Sequence, residues 1–278
     1  MPQLSAPSSV RLLRLPLLAL LALAACSPKR VPLAQTEDRE GLRYVIDSKE
    51  PFSGLLVVLK DSATGVSVTM PYRNGVRDGA AEGLHANGKR AFAETWKAGR
   101  REGVREEWDS LGQLSRTQTF VNGQLEGAMK DYNALGKVIS ERPMHAGKGE
   151  GLAKTWYDDG KKRSEGHYSG GLLQGGLLFW YPDGKKKYEG VFSQGKPDGV
   201  VSEYYPSGKE KSRISWKAGQ AEGPITRWYD NGQMEVDGTV KDGKIAGLRM
   251  WSRDGKPVTH PKFDPRLLAG PHPSSAGA

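Results

Sequence analysis

Gly75, Gly99, Gly123, Gly147, Gly171, Gly195, Gly219 and Gly243 follow one another at intervals of 24 residues, with no gap in the series. A second glycine row stands four residues on, at Gly79, Gly103, Gly127, Gly151, Gly175, Gly199, Gly223 and Gly247. Three residues before the first row runs a row of large apolar residues: Tyr72, Trp96, Phe120, Met144, Tyr168, Phe192, Trp216 and Val240. A fourth row, Leu84, Trp108, Tyr132, Trp156, Trp180, Tyr204 and Trp228, follows the second glycines, and Trp251 continues it after a one-residue deletion. A fixed period of this length marks a stacked repeat, in which a unit too small to bury a face alone does so against its neighbours.

The unit from Gly147 to Gly170 shows what each row is for. Leu152 to Tyr157 can extend as a strand, Asp158-Asp159-Gly160 supplies the positive φ angles of a tight hairpin turn, and Lys161 to Tyr168 returns as the second strand. Gly171 to Gly175 then reverses the chain again. Eight to nine such units predict an all-β fold, an elongated antiparallel array of β-hairpins with a 24-residue period over residues 41–258. From Gly41 to Gly65 the pattern is degenerate, as expected of a terminal unit that caps the sheet. Glycine makes up 36 of the 278 residues and the hydrophobic fraction is 37%, low for one compact core of this length but compatible with stacked layers.

The segments Trp96-Lys-Ala-Gly99-Arg-Arg-Glu-Gly103 and Phe192-Ser-Gln-Gly195-Lys-Pro-Asp-Gly199 resemble the MORN repeat, whose unit carries an aromatic, two residues, glycine, three residues and glycine. The 24-residue period and the Trp/Tyr-Tyr-x-x-Gly-Lys pattern look more like the bacterial variant found in lipoproteins and antitoxin-like proteins. The resemblance implies a β-hairpin array with a binding or scaffolding role, no enzymatic chemistry and no cofactor. Met144 and Val240 depart from the aromatic pattern, and softer packing is expected in their units.

The amino terminus points to a compartment. Arg11 and Arg14 precede an apolar run from Leu15 to Ala25, too short to span a bilayer and shaped like a signal peptide. A start at Val10 would give this leader its usual length. Leu23-Ala24-Ala25-Cys26 resembles the bacterial lipobox, which implies lipidation of Cys26 after cleavage of residues 1–25. Two acyl chains suffice for stable anchoring. Ser27, where an inner-membrane signal would carry Asp, favours the outer membrane of the cell envelope. Residues 26–40 then read as a flexible tether, and 259–278, with four prolines, as a loosely packed tail. Cys26 is the sole cysteine, so no disulfide can form within the chain.

The formal charge of +9 falls to +7 when Arg11 and Arg14 leave with the leader. Such a surface favours acidic protein patches, anionic lipid or acidic envelope polymers, while export argues against nucleic acid. His85, His145 and His167 occupy different places in the unit and predict no metal site. The acids Asp78, Glu102, Glu126, Glu150, Asp198 and Glu222 precede the second glycines. A ladder repeating so regularly reads as structural, each acid accepting hydrogen bonds in its own turn, and no catalytic residue is expected. Tyr157, Tyr181, Tyr205 and Tyr229, beside the fourth row, are the candidate ligand-binding residues. Strand alternation would put them on the face opposite Trp156, Trp180, Tyr204 and Trp228, near Lys161, Lys185 and Lys209, suited to sugars or an extended acidic partner; packing among themselves is the structural alternative. Two functions remain open: an envelope scaffold that recruits a protein or an anionic polymer, and an antitoxin-like immunity protein that occludes a toxin. The sequence does not fix the oligomeric state.

Overall fold

The computed structural model describes residues 27–59 and 65–259. The leader, Cys26 and residues 260–278, with the expectations that fall on them, lie outside these residues. From Gly54–Val58 to Lys244–Met250 the chain forms one antiparallel meander in which each strand pairs with the strand before and after it. Among the described residues the sheet counts 21 strands, three of them two-residue pieces. The described residues contain no α-helix. Chain reversals alternate between two long rims, and the rims use different turns.

At one rim the first glycine row closes two-residue loops. Asn74-Gly75 has φ of 48° and 79°, Gly170-Gly171 of 59° and 88°, and Ala98, Ala146 and Ala218 adopt the same left-handed geometry before their glycines. These are the mirror-image turns whose twist matches that of the flanking strands, which is why glycine recurs there. At the other rim the Gly160 N–H donates to Tyr157 O and the Tyr157 N–H to Lys161 O. Only Gly160 of Asp158-Asp159-Gly160 has a positive φ. The expected tight turn is therefore a three-residue loop closed by a glycine bulge, and the tight turn belongs to the first glycine row instead. The strands accordingly run Gly151–Trp156 and Lys162–Ser169. Second-row glycines sit at bulges with φ from 65° to 136°, where the ladder slips register.

Residues 30–39, expected as tether, are part of the fold. Arg30–Pro32 pairs in parallel with Gly54–Val58, and Thr36–Arg39 forms a hairpin with Leu42–Val45. Val31 is driven into a cluster with Phe52, Leu56 and Tyr72, so apolar burial fixes this segment. Pro32 brings no amide hydrogen to the outermost strand, which blunts that sheet edge.

A second, larger cluster gathers Leu173, Leu177, Tyr188, Phe192, Val201, Ile214, Trp216, Ala221, Ile225 and Val240. Val240 is 1% exposed, so the softer packing expected there is not found; Ile245 of the next strand closes over it. Met144 is half-buried. Gly166 belongs to this packing, since a Cβ there would come within 2.9 Å of Leu177 Cδ1 and 3.0 Å of Leu173 Cδ1. Between the two clusters the interior turns ionic: Glu94, 5% exposed, accepts from Trp96 Nε1 at 2.8 Å and Arg101 Nε at 2.9 Å and pairs with Arg105, which also binds Glu107.

Candidate binding surface

The polar side chains of both rims are used to join one unit to the next. At the first-glycine rim the acids do not cap their own turns. Each accepts the backbone N–H of the left-handed residue twenty positions on: Glu102 from Asn122 at 2.9 Å, Glu126 from Ala146 at 3.0 Å, Glu150 from Gly170 at 2.7 Å. Asp78, Asp198 and Glu222 do the same for Ala98, Ala218 and Asp242. Gln174 stands in where the acid is missing, on Gln194. The Gly170 N–H and the Ser169 hydroxyl favour the ionised form of Glu150 and hold its carboxyl below the ordinary range. Ala98 to Gly170 neighbour the turn rather than the acid in sequence, so only the assembled sheet reveals the pairing. The row ends at Ala246, and among the described residues the meander ends with the strand Lys244–Met250.

At the opposite rim the four tyrosines begin the three-residue turns, outside the strands where alternation would have placed them. Each half-buried ring sends its hydroxyl one unit forward: Tyr157 donates to Trp180 O at 2.7 Å, Tyr181 to Tyr204 O at 2.8 Å, Tyr205 to Trp228 O at 2.8 Å and Tyr229 to Trp251 O at 3.0 Å. Burial pushes the Tyr181 and Tyr229 hydroxyls up, consistent with donors held protonated. His85 occupies the same place in its unit and bonds Trp108 O at 2.9 Å. Asp109 and Asn133 are the equivalents that instead cap their own turns. The neighbouring lysines act in parallel, Lys161, Lys185 and Lys209 donating to Pro182 O, Pro206 O and Asn231 O. Tyrosine and lysine meet through the backbone of the turn, Tyr157 N–H donating to Lys161 O, and both polar side-chain ends are engaged within the array. Replacing Tyr157, Tyr181, Tyr205 and Tyr229 by Phe removes four such bonds at about 1 kcal/mol each. The expected result is an unfolding free energy, read from chemical denaturation, lowered by about 4 kcal/mol in the part of the array after Gly151.

The fourth-row rings are clamped from the preceding unit. Arg90 lies 5.2 Å from the Trp108 ring, Lys162 5.0 Å from Trp180 and Lys186 5.7 Å from Tyr204. Tyr204 also donates to Glu189 and is pushed up to about 12 by burial and that carboxylate.

One part of the interior face is left open. A groove of about 700 Å³ lies over the middle strands. Trp156, Tyr168 and Phe179 line it with Ala153 and the mutually hydrogen-bonded Thr155 and Ser164 (2.6 Å). Its more charged lining includes Arg142 and the Arg116–Asp131 pair, joined at 2.6 Å. Burial opposes the charge of Arg116, but the Asp131 bond outweighs it and raises the guanidinium's pKa. Two interior rows change here: Leu177, Val201 and Ile225 correspond to Met129 and Ala153, and Tyr188, Ser212 and Val236 to Arg116, Ser140 and Ser164. That switch was visible in the 24-residue register, but its meaning needed the face each row occupies. Among the described residues no three His, Cys, Asp or Glu side chains gather as a metal site would require.

The family model described as MORN repeat variant matches residues 149–169 and 197–218. No curated protein matches the chain. Among solved structures, one described as a GtfA/B complex bound to UDP and GlcNAc aligns at 16% identity and a TM-score of 0.19, over 37% of this chain and 23% of that one. The two matched segments lie within the hairpin meander and are similar to the MORN repeat variant, and a continuous β-repeat surface of this kind suits binding or scaffolding.

Proposed function

We propose that the protein is a non-catalytic scaffold, anchored through lipid on Cys26 to the bacterial envelope, that recruits a partner along its β-surface. The observation that carries this reading is the continuous meander in which tyrosines, lysines and acids are spent on joining units. Such an array holds a broad face in fixed shape, and preorganisation favours binding because little freedom is lost on contact. The leader ending in Leu-Ala-Ala-Cys supports the anchor. The surplus of basic residues suits an acidic protein or anionic polymer as partner, and the outer membrane is the favoured leaflet system because Ser27 follows the cysteine.

The fold alters how the anchor would work. The first strand begins at Arg30, four residues after Cys26. At about 3.5 Å per residue the sheet would start within roughly 15 Å of the acylated cysteine, close against the headgroups rather than on a long leash.

The test is fractionation of cells expressing the full chain or its Cys26→Ser variant, with labelled palmitate and cross-linking to envelope components. The expected result is label and membrane association in the wild type, both absent in the variant, and a cross-linked partner that is lost with them. A wild-type protein without label, or one found entirely in the soluble fraction, overturns the anchored scaffold. Recovery of a toxin whose activity the protein abolishes would establish the immunity reading instead.

A further inference from the structure

We infer that the groove over the middle strands is a binding site for a short segment of acidic polysaccharide, one to two pyranose rings with a carboxylate on one of them. This rests on the binding role proposed above and names a ligand class for one part of the surface.

Three observations carry it. The first is that the opening arises by substitution within the repeat. Where later units fill the interior with Leu177, Val201 and Ile225, the groove has Met129 and Ala153; where Tyr188, Ser212 and Val236 stand, it has Arg116, Ser140 and Ser164. Large apolar side chains already fit this backbone, so their replacement by small and polar ones is a property of these units and not of the fold.

The second is the chemistry of the lining. Trp156, Tyr168 and Phe179 supply aromatic surface, which suits the apolar C–H face of a sugar ring. Oδ1 of the Asp131 carboxylate accepts from Arg116 Nε, leaving Oδ2 as an acceptor for a hydroxyl, and Ser140, Thr155 and Ser164 can both donate and accept. Arg142 is exposed, lines the groove and forms no ion pair among the described residues. A guanidinium of this kind matches a carboxylate through paired hydrogen bonds.

The third is where the groove lies. It is on the face of the sheet, where the strands beneath already pair through their backbones. A peptide could not extend the ladder there and would be held by side chains alone. A sugar presents its donors and acceptors around a ring and needs no ladder.

The test uses the full chain, trigalacturonic acid as the acidic probe, galactotriose as the neutral one and pentaglutamate as the peptide control, followed by calorimetry. Arg142→Gln removes the exposed cation. Ala153→Leu places in the groove the residue that Leu177 supplies in the next unit, and thermal unfolding should show it folded with a midpoint at or above that of the wild type. Saturable binding of trigalacturonic acid is expected. It should weaken about tenfold in Arg142→Gln, the worth of one charge-assisted contact, and be lost in Ala153→Leu. Galactotriose should bind more weakly and equally well with or without Arg142. Absence of saturable binding, full binding by a folded Ala153→Leu variant, or equal competition by pentaglutamate would each overturn the proposal. If trigalacturonic acid does not bind but the wild type still cross-links its envelope partner, the scaffold stands and only the groove's assignment falls.

Discussion

Substituting Glu94 with Ala should destabilise the N-terminal half of the array by about 1–3 kcal/mol, because the buried Trp96 indole and Arg105 lose their acceptor, while Arg105 keeps Glu107 and the Arg101 side chain is 40% exposed. Glu94 is 5% exposed and is the common acceptor for Trp96, Arg101 and Arg105. Burial works against its charge, but the hydrogen bonds from Trp96 and Arg105 and the charges of Arg105 and Arg101 more than offset this and lower its pKa from 4.5. A carboxylate with a folded pKa below its unfolded one adds stability that is complete above the unfolded value. That contribution disappears as pH falls through the lowered folded value. Urea midpoints of the wild type should therefore drop below about pH 4.5, and the part of that drop due to Glu94 should be missing from the variant. Equal midpoints for wild type and Glu94→Ala at neutral pH would contradict this account. Hydrogen exchange should place the loss around residues 90–108 and leave the larger apolar cluster protected.

Phe192→Ala should cost about 3–5 kcal/mol in the other half. Its ring is 1% exposed within the cluster of Leu173, Val201 and Trp216, and loss of a buried aromatic removes its transfer energy and leaves a cavity. Stability in a stacked array is a sum over units and their joints, so this damage should spread along neighbouring strands before it reaches the distant cluster around Phe52. Thermal unfolding should split into two steps, the earlier one assigned by hydrogen exchange to residues 168–240. A single transition, lowered as a whole, would mean that the array folds as one cooperative block.

The period, the hairpins and the all-β fold were legible in the glycine and aromatic rows because they are set by local backbone demands. The assignment of turn types was not, since Asp159-Gly160 looks like the tighter hairpin signal while Ala98-Gly99 does not. The left-handed angle at Ala98 is stabilised from a distance, by Asp78 of the preceding unit. The same cause hid the roles of the candidate site residues. A tyrosine beside a strand end reads as a surface group, and its bond to a carbonyl 23 residues ahead exists only when units stack at one particular offset. Residues 30–39 were misread because their pattern is outside the period, although Val31 packs against the first unit. The groove was missed for the opposite reason: its residues obey the period in position and break it in chemistry.

The acid caps all point the same way along the chain, and they cease at Ala246. Any interior unit thus carries both the clasp for its successor and the eye for its predecessor. Gene duplication or loss of one 24-residue block in the middle would yield a longer or shorter protein with matched joints throughout. A block appended after Met250 would meet an alanine where a clasp is needed, so a copy inserted within the array should stabilise it more than the same copy added at that end.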